Sequence, residues 1–126
     1  MQYNELEKLG ERVSRLGFGC MRFPITPEGG IDEPRAEAML ESAYRAGVNY
    51  FDTAYFYHQH TSEAFVGRAM KKYPRESFHL ATKMPMSIVN SLDHAKEIFE
   101  GQLAALQTDY VDFYLFHALS GEQIGR

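Results

Sequence analysis

The sequence predicts an α/β fold with a parallel sheet, on two observations. After a short hairpin, apolar runs of strand length alternate with amphipathic stretches of helical period in the order β-α-β-α-β-α-β. Strict alternation implies parallel strands joined by right-handed helical crossovers. The second observation is that one buried strand pattern, Val48-Asn-Tyr-Phe-Asp52, ends in a carboxylate and is followed five residues later by Tyr57. An unpaired buried charge is costly, so folding alone explains Asp52 poorly. The carboxyl ends of parallel strands are where such folds place their chemistry.

Composition narrows the class. A chain of 126 residues, 44% hydrophobic and 24% charged, has room for one domain with a sizeable core. A net charge of −4 gives no electrostatic footprint for nucleic acid or an anionic membrane. No apolar run approaches a membrane span, and Met-Gln-Tyr-Asn-Glu at the amino terminus has no basic leader region. The single cysteine, Cys20, excludes an intrachain disulfide and fits a reducing compartment. A cytoplasmic protein is expected, with no nucleic-acid or membrane partner.

Each element has its own signal. Tyr3–Leu6 and Val13–Leu16 flank a turn at Gly10-Glu11, a hairpin over 2–16 polar enough to lie against one end of the domain. Leu16–Met21 is a brief strand holding Gly17 and Gly19; glycine there marks a tight bend or the close approach of a ligand. Phe23–Ile31 has the Pro and Gly content of a loop. Asp32 is a suitable N-cap with Pro34 in the first turn, and Met39, Leu40, Ala43 and Ala46 recur at helical spacing until Gly47. Thr61 or Ser62 caps a second helix with Phe65, Val66, Ala69 and Met70 inward, closed by Pro74. Phe78–Lys83 is a strand, and Ser91 caps a third helix with Ala95, Ile98, Phe99, Leu103 and Leu106 inward until Thr108-Asp109. Tyr110–Phe116 leads to His117, and a loop is expected over Ser120–Arg126.

This order fits either an open doubly wound sheet or part of a (β/α)8 barrel. A dinucleotide-binding Rossmann unit would need Gly-x-Gly-x-x-Gly opening the first helix; here Gly17-x-Gly19 continues as Cys-Met-Arg, far upstream of it. Asp52, Lys83 and His117 nevertheless fall at the same end of successive strands, with Tyr57 just beyond. Singly each has an ordinary structural account: a turn cap, a solvated lysine, an interface aromatic, a satisfied core histidine. Their shared placement favours chemistry. His58-x-His60 offers metal-type ligands, but no carboxylate or cysteine joins them at a useful spacing, so a substrate-facing loop is expected.

Gly47-Val-Asn-Tyr-Phe-Asp52-Thr-Ala-Tyr-Phe-Tyr57 resembles the signature of the aldo-keto reductases. So do Ala81-Thr-Lys83, Leu115-Phe-His117 and the opening Leu9-Gly with Val13-Ser-Arg-Leu-Gly-Phe-Gly-Cys-Met-Arg22. The resemblance runs through nearly the whole chain. It implies a (β/α)8 barrel that reduces aldehydes or ketones, small-molecule carbonyl substrates, with NADPH or NADH. It further implies Asp52, Tyr57, Lys83 and His117 as a catalytic tetrad. Tyr55 is passed over, because the motif sets the acid five residues after the aspartate. Gly19, Cys20, Met21 and Asp52 are implied to lie near the nicotinamide. A tyrosine hydroxyl is a poor acid at neutral pH; a lysine ammonium beside it, held by Asp52, would make it a better one. The Gly19–Arg22 wording also resembles a prokaryotic branch with a carboxyl-terminal iron–sulfur segment. With one cysteine present, any such cluster would lie beyond Arg126.

A full barrel of this kind needs about 250 residues. The expectation is therefore an amino-terminal half-barrel over 1–126, with hairpin 2–16 and β/α units over 17–117. As supplied it is expected to be inactive and prone to self-association through its open edges. Phe113, Leu115, Tyr50 and Phe78 are expected to lose partners on the uncovered face. Two other functions fit the same residues: a cofactor-sensing regulatory subunit, and a half-barrel that serves only assembly.

Overall fold

The computed structural model describes residues 1–6 and 10–117. Leu9 and the Ser120–Arg126 loop lie outside the described residues. Strands β1 (Tyr3–Leu6) and β2 (Glu11–Ser14) form the expected antiparallel hairpin. It sits under the amino-terminal end of the main sheet. Asn49 fixes it there: its Oδ1 accepts from the Ser14 N–H at 2.7 Å, and its Nδ2 donates to the Arg12 carbonyl at 2.8 Å.

The main sheet holds β3 (Phe18–Gly19), β4 (Tyr50–Asp52), β5 (His79–Pro85) and β6 (Phe113–His117), in that spatial order. All three pairings are parallel. Each crossover steps to the next strand in one direction. A doubly wound sheet reverses direction at a switch point, so this topology favours a partial (β/α) barrel over the open sheet. The crossovers carry α1 (Glu33–Arg45), α3 (Ser62–Met70) and α4 (Leu92–Leu106), with a single turn, α2 (Tyr57–His60), ahead of α3. Among the described residues no helix is long and apolar enough to cross a membrane.

Strand side chains alternate between two faces. Phe51 and Leu80 point under the helices and meet Leu40, Phe65, Val66, Met70 and Leu106, the core of the molecule. Gly19, Asp52, Ala81 and Phe113 share the opposite face through their register. Phe78 is 4% exposed and belongs to the helical core rather than the open face, because it lies an even number of residues from Leu80. Leu115 is 44% exposed, as expected for an uncovered inner face, whereas Tyr50 and Phe113 are half-buried, their rings 5.4 Å apart.

Several boundaries differ from expectation for local reasons. Asp32 occupies the N-cap position of α1 but makes no side-chain cap bond. The buried stripe of α1 is Ala36 and Leu40, with Ala43 and Tyr44 partly covered; Met39 and Ala46 are exposed because they lie off the side that packs on α3. In α4, Ser91 caps as expected, accepting from the His94 N–H, while Gln102 takes a fully buried place on the stripe and Phe99 and Leu103 are half-buried. The helix ends at Gln107, which is left-handed (φ 54°). β6 begins at Phe113 rather than Tyr110 because Arg75 binds the Tyr110 carbonyl and the Asp112 carboxylate, each at 2.9 Å. Gly47 turns the chain from α1 into β4 at φ +96°, and a Cβ there would lie 2.7 Å from the Tyr3 hydroxyl.

Candidate active site

The four candidate residues converge. Asp52 closes β4, and Lys83 lies on the same face of β5, two residues past Ala81, the register partner of Asp52. His117 lies on that face of β6, two residues past Leu115, the partner of Lys83. The set therefore climbs diagonally across three strands. β5 continues past Lys83 to Pro85, so the lysine sits within the strand rather than at its end.

Lys83 Nζ donates to Asp52 Oδ1 at 2.9 Å, to Asp52 Oδ2 at 2.8 Å and to the Thr53 carbonyl at 2.8 Å. Three acceptors match the three N–H donors of an ammonium. Its stem is largely covered, with 13% of the side chain exposed against 28% for Asp52. Lys83 Nζ also lies 4.7 Å from the centre of the Tyr57 ring, a cation–π arrangement. The Tyr57 ring stands nearly perpendicular to His117, centroids 5.8 Å apart. Among the described residues His117 Nδ1 is buried without a hydrogen-bond partner, a costly condition that a ligand acceptor or donor at the site would relieve.

The segment after β3 forms the neighbouring wall. Cys20 donates its N–H to the Asp52 carbonyl at 2.8 Å, fixing β3 beside the site. Cys20 is fully buried, and burial, then the charge of Asp52, push its thiol well above the ordinary range, with Lys83 opposing. Gly19 and Met21 are the open members of this segment: Met21 is 53% exposed, and a Cβ on Gly19 would meet nothing within 4 Å. An exposed glycine register-paired with Asp52 leaves room for a flat ring to lie against the strand, which fits a nicotinamide there.

Behind Lys83, on the helical side, lies a buried polar network that sequence reasoning did not find. Glu63 accepts from Thr82 Oγ1 at 2.6 Å and from Gln102 Nε2 at 2.9 Å. Gln102 Nε2 also donates to the Lys83 carbonyl at 2.8 Å, and its Oε1 accepts from the Tyr114 hydroxyl at 2.6 Å. This network ties α3, α4, β5 and β6 together at the level of the site. Burial raises the pKa of Glu63, opposed by its bonds to Thr82 and Gln102 and by the charges of His60 and Lys83. Burial, with Glu63 nearby, pushes Tyr114 up to about 12. The available signal was Gln102 itself, a polar residue standing four after Ile98 and four before Leu106 on an apolar stripe.

His58 and His60 do not act as a pair. The His58 ring meets Phe23, whereas His60 packs edge-on against Tyr55 and Phe56. Among the described residues no group of three or more metal-type ligands occurs. A groove of about 570 Å³ runs between α3 and α4 and includes Gly67, Met70, Phe78 and Leu103. None of the four converging residues lines it, and convergent ionisable groups mark a reactive site better than size alone.

Residues 15–123 match the sequence model of the Aldo/keto reductase family. Aldo-keto reductase YhdN of Bacillus subtilis (strain 168) is 35% identical over 125 residues, covering 93% of this chain and 38% of that protein. The solved structure of thermostable aldo-keto reductase Tm1743 in complex with the inhibitor epalrestat superposes with a TM-score of 0.80 at 30% identity, covering 97% of this chain and 44% of that one. An aldo/keto reductase from Klebsiella pneumoniae, solved with NADP and acetate, gives a TM-score of 0.70 at 27% identity over 86% of this chain and 36% of that one. The chain spans between 34% and 40% of the length of the curated relatives it matches.

Proposed function

Because the chain belongs to the aldo/keto reductase family, we propose that it carries the catalytic tetrad of an oxidoreductase that reduces aldehydes or ketones with a nicotinamide cofactor. The observation that carries this reading is the meeting of Asp52, Lys83, Tyr57 and His117 on one face of the sheet. NADP in the related Klebsiella pneumoniae structure supports a nicotinamide dinucleotide of the NADP type as the cofactor. The chemistry that a reduced nicotinamide would supply when bound is hydride for the carbonyl carbon.

The chain's own residues handle the charge that then develops on oxygen. Tyr57 donates its phenolic proton to that oxygen, and His117 orients the carbonyl through a ring nitrogen. Lys83 places a cation beside the tyrosine ring, and Asp52 holds that cation in position through both carboxylate oxygens. Gly19, Met21 and Asp52 border the nicotinamide, and Cys20 supports them from within. In the full-length protein, Tyr57→Phe should abolish carbonyl reduction while leaving cofactor binding intact. Retention of most of the turnover would remove Tyr57 from this role.

As 126 residues alone, the chain would act as a half-barrel with little cofactor affinity and no turnover. Exposed Leu115 and Phe116, at 44% and 59%, lie on β6, an edge strand among the described residues. They favour self-association of the isolated chain. A concentration-independent monomer in sedimentation velocity would exclude that behaviour.

A further inference from the structure

We infer that His58 is a positioning residue, clipping the turn that carries Tyr57 to the loop after β3. The inference rests on the reading of Tyr57 as proton donor. Immediately after Tyr57 the backbone is left-handed at three successive residues, none of them glycine: His58 (φ 52°), Gln59 (55°) and His60 (71°). Such a run persists only where its surroundings over-determine it. Thr61 fastens the downstream side, its hydroxyl and N–H both donating to the His58 carbonyl at 2.6 and 3.0 Å.

The His58 ring fastens the other side. Its Nε2 accepts the Phe23 N–H at 2.9 Å, and the two rings stack at 5.6 Å and 27°. Phe23 is a firm anchor, 4% exposed and set edge-on against Phe65 of α3 at 5.1 Å. Without this acceptor the Phe23 N–H would have to find another partner in a part-buried place. Acceptance through Nε2 fixes the ring as the neutral Nδ1–H tautomer, and partial burial lowers the pKa of His58 in the same sense. One side chain thus joins the segment that borders the nicotinamide to the segment that presents the acid. The contacts of Tyr57 with Lys83 and His117 depend on that turn.

Two variants of the full-length protein test this. His58→Gln places an amide oxygen near the position of Nε2, whereas His58→Leu keeps bulk and removes the acceptor. Amide exchange at Phe23, the ¹³C shifts of the Tyr57 ring and steady-state kinetics are read in parallel. In His58→Leu, Phe23 should lose exchange protection, the Tyr57 ring resonances should move, and kcat should fall by about 10²-fold with cofactor affinity unchanged. His58→Gln should restore most of all three. Unchanged Phe23 exchange and Tyr57 shifts in His58→Leu would overturn the clip. Altered shifts with unchanged kcat, where Tyr57→Phe is inactive, would overturn the positioning role. Full turnover in Tyr57→Phe would instead remove the proton-donor reading on which the role depends, and with it the inference.

Discussion

Asp52 and Lys83 stand 31 residues apart in sequence and meet in a two-point ion pair, with both carboxylate oxygens within 2.9 Å of one ammonium. The pair is neither fully exposed nor fully buried, and the Thr53 carbonyl takes the remaining donor. Removing one partner leaves the other charge in a half-dry place. Lys83→Met should therefore lower stability by about 1–3 kcal/mol, between the values for exposed and buried pairs. Asp52→Asn with Lys83→Met should lose less than the sum of the single changes. Urea denaturation of the four species measures the coupling; additivity would show that the pair is not energetically linked.

Glu63 makes stability depend on pH in a defined direction. Its folded pKa is raised, chiefly by burial, above that of the unfolded chain. Its contribution is therefore fully present below the unfolded value and is lost as pH rises through the folded one. Glu63→Gln keeps a carbonyl acceptor for Thr82 and Gln102 and removes the titration. It should flatten the stability profile above the unfolded value of the carboxyl and be the more stable form at the upper end. A wild-type profile that rises with pH more steeply than that of Glu63→Gln would contradict the raised value.

Gly67 sets the spacing of α3 and α4. A Cβ there would lie 2.5 Å from the Ala105 carbonyl oxygen and 2.7 Å from the Leu106 carbonyl carbon, both backbone atoms that cannot step aside. Gly67→Ala should cost about 1–3 kcal/mol despite alanine's better helix propensity. Equal or greater thermal stability in the variant would show that the helices separate freely.

Cys20 should be chemically silent in the folded protein. It is fully buried and its thiol is disfavoured as thiolate by burial and by Asp52. A disulfide-exchange reagent at mildly alkaline pH should leave the native chain unmodified and titrate one thiol after denaturation. Rapid modification of the native state would mean that the segment beside β3 opens readily.

The element order and the four converging residues could be read from the sequence because both follow from local rules. Helical and strand periods fix which side chains share a face, and Gly47, Asp32 and Ser91 mark where elements start and stop. Recognition motifs then identified Asp52, Tyr57, Lys83 and His117. Met39 and Phe78 were misplaced because periodicity gives a direction around an element but not what lies there. Met39 flanks a helix packed on one side only, and Phe78 belongs to the face under the helices.

The sequence alone thus determined an alternating parallel fold and the chemical groups it would bring to one end. Only the tertiary structure decided that successive strands are neighbours in order, and that a two-residue step in register sets Lys83 against Asp52. It also separated His58 from His60 and joined Glu63, Gln102 and Tyr114 behind the site. Periodicity is set within a few residues of chain, whereas register and side-chain pairing between distant segments are set by how whole faces pack.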